Sequence, residues 1–151
     1  VLPLSNPTSR AECSAEEAIA WSGGRALVAS GSPFADVVHD GVTHVIGQAN
    51  NVFVFPGIGM GAILSGIREI DDAVFLVAAQ TVADCMDASR LAQGALVPDV
   101  SDLRAVSARV AAAVLGHASA SGTGRRVSHD EAAALVSAAS WYPDYVPLLP
   151  D

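Results

Sequence analysis

Val1-Leu2-Pro3-Leu4-Ser5-Asn6-Pro7-Thr8 opens as an apolar run and is cut off at Pro7, which has no N–H to continue a strand ladder. The run reads as the end of a buried strand, Val1 to Ser5, with a loop starting at its carboxyl end. Ser14 followed by Glu17 is a capping-box pattern, in which hydroxyl and carboxylate satisfy orphan N–H groups, and it launches a short helix through about Trp21. Gly23-Gly24 ends that helix. Arg25 to Ala29 is a second short apolar run, closed by Ser30-Gly31-Ser32-Pro33. Strand, loop, helix, strand and loop in that order make half of a doubly wound sheet, so the fold class is α/β with few parallel strands.

Further along, Asp40-Gly41 is a good turn dipeptide, and His39 to Gly47 is expected to form a small hairpin around it. Apolar spacings of three and four then predict helices over Gly57–Arg68, Asp71–Met86 and Leu103–Leu115. Ser128 with Glu131 repeats the capping box before Ala132–Ala139, so the carboxyl-terminal two thirds are predominantly helical. Ser119 to Arg126, rich in Ser and Gly, reads as a mobile connector, and Trp141 to Asp151 as a tail along a surface.

The composition narrows the function. With 51% hydrophobic and 16% charged side chains in 151 residues, the chain can bury roughly 70% of its unfolded surface, which excludes disorder. Sixteen Asp and Glu against eight Arg and no Lys give a net charge of -8, the wrong sign for a nucleic-acid or anionic-membrane binder. The missing Lys also excludes Schiff-base chemistry carried by this chain. Cys13 and Cys85 show no CxxC pairing and read as small core hydrophobes in a reduced, cytoplasmic location. His39, His44, His117 and His129 lack metal-cluster spacing, so no metal site is expected. The uninterrupted apolar part of the uncharged stretch, Val52 to Ile67, falls short of the roughly 20 residues a membrane-spanning helix needs. The start on Val1-Leu2-Pro3-Leu4, without Met or a charged leader, reads as a piece cut from a longer chain.

The three asparagines fall in two short segments, Ser5-Asn6-Pro7-Thr8 and Gly47-Gln48-Ala49-Asn50-Asn51. A carboxamide offers a donor and an acceptor without charge, and Asn6 sits where open α/β sheets bind ligands, outside a strand's carboxyl end. Turn formation alone would also account for Asn-Pro and Asn-Asn. Gly57-Ile58-Gly59-Met60-Gly61-Ala62 formally matches a dinucleotide-binding glycine pattern, but Pro56 sits at the turn and no βαβ unit follows; tight helix packing is the expectation. Asp71-Asp72 reads as N-terminal charge on the next helix. Ser30-Gly31-Ser32 lacks the flanking glycines of a nucleophile elbow. Glu12, Glu16 and Glu17 could supply acid or base chemistry, although a helix start accounts for Glu17.

Leu4-Ser5-Asn6-Pro7-Thr8-Ser9-Arg10-Ala11-Glu12-Cys13, then Gly24-Arg25-Ala26-Leu27, Ala29-Ser30-Gly31-Ser32-Pro33-Phe34, Gly47-Gln48-Ala49-Asn50-Asn51 and Phe55-Pro56-Gly57, closely resemble the carboxyl-terminal, NAD-binding part of malic enzymes. The order and spacing fit across Val1 to Ser107, and Trp141-Tyr142-Pro143-Asp144-Tyr145 with Leu148-Leu149-Pro150 resembles that family's tail. The resemblance implies a partial Rossmann-like NAD(P)-binding domain, with residues 1–151 forming the carboxyl-terminal portion of that domain. It implies oxidative decarboxylation of malate to pyruvate and carbon dioxide, with NAD or NADP as hydride acceptor and Mg²⁺ or Mn²⁺ polarising the intermediate.

By position, Asn6 and Asn50 match family residues that contact malate and lie beside the nicotinamide, with Asn51 adjacent. Ala49 stands where the family usually has Gly, so a left-handed backbone there would be strained. The family's catalytic Tyr and Lys, metal-ligating acids, malate-binding Arg and glycine-rich turn belong to an upstream portion, and the chain alone is expected to be inert. The implied partners are malate or pyruvate, the amino-terminal portion of the same enzyme and further copies in a homo-oligomer. Two rivals stand beside this reading: a non-catalytic helical interaction module, and a malolactic-type relative.

Overall fold

The computed structural model describes residues 1–145. Helix α1 (Ala15–Trp21) is followed by strands β1 (Ala29–Ser30), β2 (Val37–His39), β3 (Val42–His44) and β4 (Gly47–Gln48). Helices α2 (Phe55–Ser65), α3 (Asp72–Asp84), α4 (Ala88–Ala92), α5 (Leu103–Ser121) and α6 (His129–Ala139) complete the described chain. β1 pairs in parallel with β4, Ala29 opposite Gly47 and Ser30 opposite Gln48. The hairpin forms, with Val37 opposite His44, slightly earlier in the chain than expected. Asp40 and Gly41 have φ of 50° and 78°, the two left-handed residues that a tight hairpin turn requires.

Val1 to Ser5 is not the buried strand expected of it. Val1, Leu2 and Leu4 are exposed while Pro3 is buried, so the segment covers one edge of β1 and leaves its other side open. Its backbone nonetheless follows a parallel ladder: the Val1 amino group donates to the Leu27 carbonyl at 2.6 Å, Ala29 N–H to Val1 O at 3.2 Å and Gly31 N–H to Pro3 O at 3.0 Å. One bond of that ladder would need an N–H on residue 3, which proline lacks. Gly31 lets the two backbones close up, because a Cβ there would run into the Leu4 carbonyl.

Both capping boxes form. Glu17 N–H donates to Ser14 Oγ at 3.1 Å and Ser14 N–H to Glu17 Oε2 at 2.8 Å, and Ser128 and Glu131 repeat the exchange on α6. Asp71 caps α3 by accepting from Val74 N–H at 3.1 Å, the helix-start role expected of it.

The four longer helices sit close to their expected spans, apart from α5, which runs on to Ser121 and stops at left-handed Gly122. The connector after it is pinned, not loose. Ser119 Oγ accepts from Val127 N–H at 2.9 Å and donates to Val127 O at 3.1 Å, and Arg125 N–H donates to Ser65 O at 2.9 Å. Small and polar residues in this connector make close backbone bonds instead of slack.

Two cores result. Ala15, Ala18, Ile19, Val28 and Ile46 fill the space between α1 and the strands, with Cys13 half-buried beside them. Phe53, Ile58, Val74, Ala78, Val106, Val110 and Val114 fill the space between α2, α3 and α5, flanked by half-buried Cys85. Burial raises the Cys85 thiol pKa above its ordinary value. Of the expected surface tail, Trp141 and Tyr142 are exposed. Arg104 holds them, its Nη1 donating to Trp141 O at 3.1 Å and its guanidinium lying 4.7 Å from the Tyr142 ring centre. Residues 146–151 of the tail lie outside the described residues.

Candidate functional site

Residues 1–3, β1 and β4 run parallel, so their carboxyl ends release three loops on one side: Leu4–Pro7, Gly31–Phe34 and Ala49–Asn51. Strand ends of this kind are where open α/β sheets place ligands. Asn6 is exposed on the first loop, and its Oδ1 accepts from Ser32 Oγ at 2.5 Å. Half-buried Asn50 on the third loop accepts from Val52 N–H at 3.0 Å, capping the 3₁₀ turn Asn51–Phe53. A backbone N–H can only donate, so Asn50 must present its oxygen inward and its NH₂ outward. Among the described residues neither NH₂ group takes a protein partner. Both carboxamides therefore offer donors, a pairing suited to ligand carboxylate or carbonyl oxygens.

The middle loop couples the other two. Gln48 Nε2 donates to Gly31 O at 3.3 Å and Ala49 N–H to Ser30 O at 2.8 Å. Ser30, Ser32 and Gln48 were not among the residues expected to matter; Ser30-Gly31-Ser32 is informative as a bracket, not as a nucleophile elbow. Asn50 and exposed Asn51 line a cavity of about 400 Å³ whose other walls, Leu4, Phe53, Val54 and Val82 among them, are apolar. Asn6 is not on that wall; the Ser30-Gly31-Ser32 turn links its loop to the loop that carries Asn50. Ala49 is accommodated without strain, because Asp40 alone of the described non-glycine residues has a left-handed backbone.

On the first loop Glu12 acts as a splint. Its Oε1 accepts from Ser5 Oγ at 2.5 Å and its Oε2 from Ser5 N–H at 3.4 Å, and these bonds, the Ser5 hydroxyl foremost, hold its carboxyl below the usual carboxylate range. A carboxylate kept ionised in this way suits bracing better than acid catalysis.

Uncharged donors beside an apolar cavity fit a nicotinamide ring and its amide. No arginine lines the cavity to meet a pyrophosphate. The glycines of Gly57-Ile58-Gly59-Met60-Gly61 are not free to do so either. A Cβ on Gly57 would meet Ser107 O at 2.6 Å and one on Gly61 would meet Ala111 O at 2.7 Å, so both glycines are taken up in seating α2 on α5. Among the described residues no group of three His, Cys, Asp or Glu side chains is placed to hold a metal ion, and no described helix is long and apolar enough to cross a membrane.

The family described as "Malic enzyme, NAD binding domain" matches residues 1–119. The chain is 42% identical over 145 residues to the NAD-dependent malic enzyme of Sodalis glossinidius (strain morsitans), covering 96% of this chain and 26% of that protein. It is 41% identical over 145 residues to the NAD-dependent malic enzyme of Aeromonas salmonicida (strain A449), with the same two coverages of 96% and 26%. It is 42% identical over 146 residues to NADP-dependent malic enzyme 4, chloroplastic, of Arabidopsis thaliana, covering 96% of this chain and 23% of that protein. The chain thus spans about a quarter of the length of the curated relatives it matches. The strand-end geometry and a family match running from Val1 to Ser119 agree, and the chain belongs to the malic enzyme family, within its NAD-binding domain.

Proposed function

We propose that this chain supplies the substrate and nicotinamide contacts of an enzyme that converts malate and NAD⁺ or NADP⁺ into pyruvate, carbon dioxide and the reduced cofactor. The observation that carries the reading is the pair of carboxamides, Asn6 and Asn50, anchored by their oxygens at the ends of the two parallel segments that flank β1, inside the family-matched segment. In this reading the Asn6 and Asn50 NH₂ groups donate to malate oxygens and lie beside the nicotinamide, with Asn51 adjacent. When bound, the nicotinamide accepts the hydride from malate. The chain's own part is to hold the donor atoms still and to line the cavity with apolar side chains.

The described residues do not fit a divalent metal, so the Mg²⁺ or Mn²⁺ of this reading takes its ligands from elsewhere in the enzyme. The partner that completes the site is the remaining portion of the enzyme, in a homo-oligomer located in the cytoplasm. The isolated chain is without turnover.

A nitrogen-resolved NMR titration with malate and NAD⁺, following the side-chain NH₂ signals of Asn6, Asn50 and Asn51, tests this. Selective, saturable shifts at Asn6 and Asn50 are expected. Signals that stay put at millimolar malate even when the amino-terminal portion of the enzyme is supplied would sink the reading. A second reading, a helical module that packs on a partner chain, draws on the exposed Ile63, Phe75 and Leu76 of α2 and α3. It predicts self-association or partner capture with no response to malate.

A further inference from the structure

Ser30 and Ser32 are 0% and 4% exposed, and the contacts proposed for malate and nicotinamide make no use of their hydroxyls. Ser30 Oγ donates to Ser32 O at 2.7 Å, which closes the turn on itself and leaves the Ser32 hydroxyl aimed at Asn6 Oδ1, 2.5 Å away. A buried hydroxyl is costly unless bonded, so the Asn6 oxygen is held as firmly as the turn. The turn is held to the first segment by Gly31 N–H donating to Pro3 O at 3.0 Å. It is also tied to the Asn50 loop, through Gln48 Nε2 on Gly31 O and Ala49 N–H on Ser30 O.

We propose that Ser32 is a positioning residue: its buried hydroxyl holds the Asn6 carboxamide in place, and the Ser30-Gly31-Ser32 turn sets the separation of the Asn6 and Asn50 donors. The proposal deepens, and rests on, the reading of Asn6 as a ligand contact. A carboxamide on an exposed loop can turn either end to solvent, and a ligand oxygen is matched only by the donor end. A tether to the buried Ser32 hydroxyl limits the positions this loop carboxamide can take before the ligand arrives, which is preorganisation of the binding group. Asn51 supplies the contrast within the same molecule, since it is exposed and its carboxamide takes no hydrogen bond among the described residues.

Side-chain ¹⁵N relaxation on the full chain, without ligand, decides it. Asn6 is expected near the rigid end of the order-parameter scale, about 0.85, and Asn51 in the flexible range below about 0.6. Ser32→Ala should drop Asn6 into the Asn51 range while Asn50, and backbone amides away from residues 4–6 and 30–34, keep their values. Ser32→Thr, which retains the hydroxyl, should restore Asn6. A serine that merely supports the fold would loosen many amides together or none.

An Asn6 carboxamide as mobile as Asn51 in the unsubstituted chain overturns the proposal, and that comparison needs no variant to fold. So does an Asn6 that stays rigid in Ser32→Ala. Because no ligand is present, failure of malate to shift Asn6 would count against the proposed function while these order parameters still judge the role of Ser32.

Discussion

The strand-end region and the helical region of this chain are built on opposite principles. Around Asn6 and Asn50 the strands are two residues long, and the arrangement is held by directional bonds: the incomplete ladder on residues 1–3, the Ser30–Ser32 turn, the Glu12 splint on Ser5 and the Gln48 link. Around Val110 and Val114 hydrogen bonds between elements are secondary. There α2 lies against α5 through glycines, and the core is an apolar cluster of seven residues. Directional bonds fix the orientation of a few atoms, which a binding site needs; close packing resists deformation, which a platform needs. The two meet at Phe53, which belongs to the helical core yet stands three residues after Asn50.

Truncation at that junction, Phe53→Ala, should therefore have the largest effect on both regions. Phe53 is 2% exposed, and truncating such a side chain costs about 3–5 kcal/mol, a large share of a domain's stability. Because the Asn51–Phe53 turn also carries the Asn50 cap, the loss should appear as disorder at the Asn50 NH₂ signal as well as a lowered denaturation midpoint. A variant that loses stability while Asn50 keeps its position would show that the platform does not hold the site.

The glycines of α2 sharpen the contrast next, with opposite signs expected inside one short motif. At Gly57 and Gly61 an added methyl meets backbone carbonyls at 2.6 and 2.7 Å, and overpacking of about 1–3 kcal/mol outweighs the helix-propensity gain. At Gly59 nothing lies within 4 Å, so Gly59→Ala should stabilise by about 0.5–1 kcal/mol. Chemical denaturation of the three alanine variants checks it. Equal effects at the three positions would mean that α2 and α5 are not in this close register.

What was legible in the sequence divides along the same line. Patterns that act locally read well: Ser14-x-x-Glu17, Ser128-x-x-Glu131, Asp40-Gly41 and the helix spacings all produced their elements. The packing role of Gly57 and Gly61 was also readable, because Pro56 and the missing βαβ unit argued against a phosphate turn. Tertiary bonds between distant residues were not. Nothing local says that Ser32 reaches Asn6, twenty-six positions away, or that Ser119 bonds to Val127 across an apparent linker. Exposure of Val1, Leu2 and Leu4 was misjudged because an apolar run reports that a face will be covered without saying by what. The asparagines could be singled out by their clustering, but the direction of each carboxamide depends on its partner, which only the fold brings near.

The smallest effects concern the caps, and they test whether the two regions melt together. Ser14 caps the helix behind the strand ends and Ser128 caps the last helix of the platform, with the same partners in each case. Ser14→Ala and Ser128→Ala should each cost about 1 kcal/mol if the chain unfolds as one unit, and the two midpoints should then fall equally. A Ser14→Ala variant that unmasks an early transition would show that the site region has an opening of its own. Acid adds a second handle. In both boxes the serine backbone N–H and hydroxyl hold the Glu17 and Glu131 carboxyls below their ordinary pKa. A carboxyl depressed in the folded state contributes stability that is complete above its unfolded pKa, about 4.3, and is lost as the pH falls below that through the folded value. The midpoint should stay level from neutral pH to about 5 and then fall, more shallowly in a Glu17→Gln/Glu131→Gln double variant, because glutamine keeps a neutral cap but no longer titrates. An unchanged acid slope in the double variant would place the titrating groups elsewhere, with Glu12 on the Ser5 loop the first to examine, since its carboxyl is depressed by the bonds that brace the loop carrying Asn6.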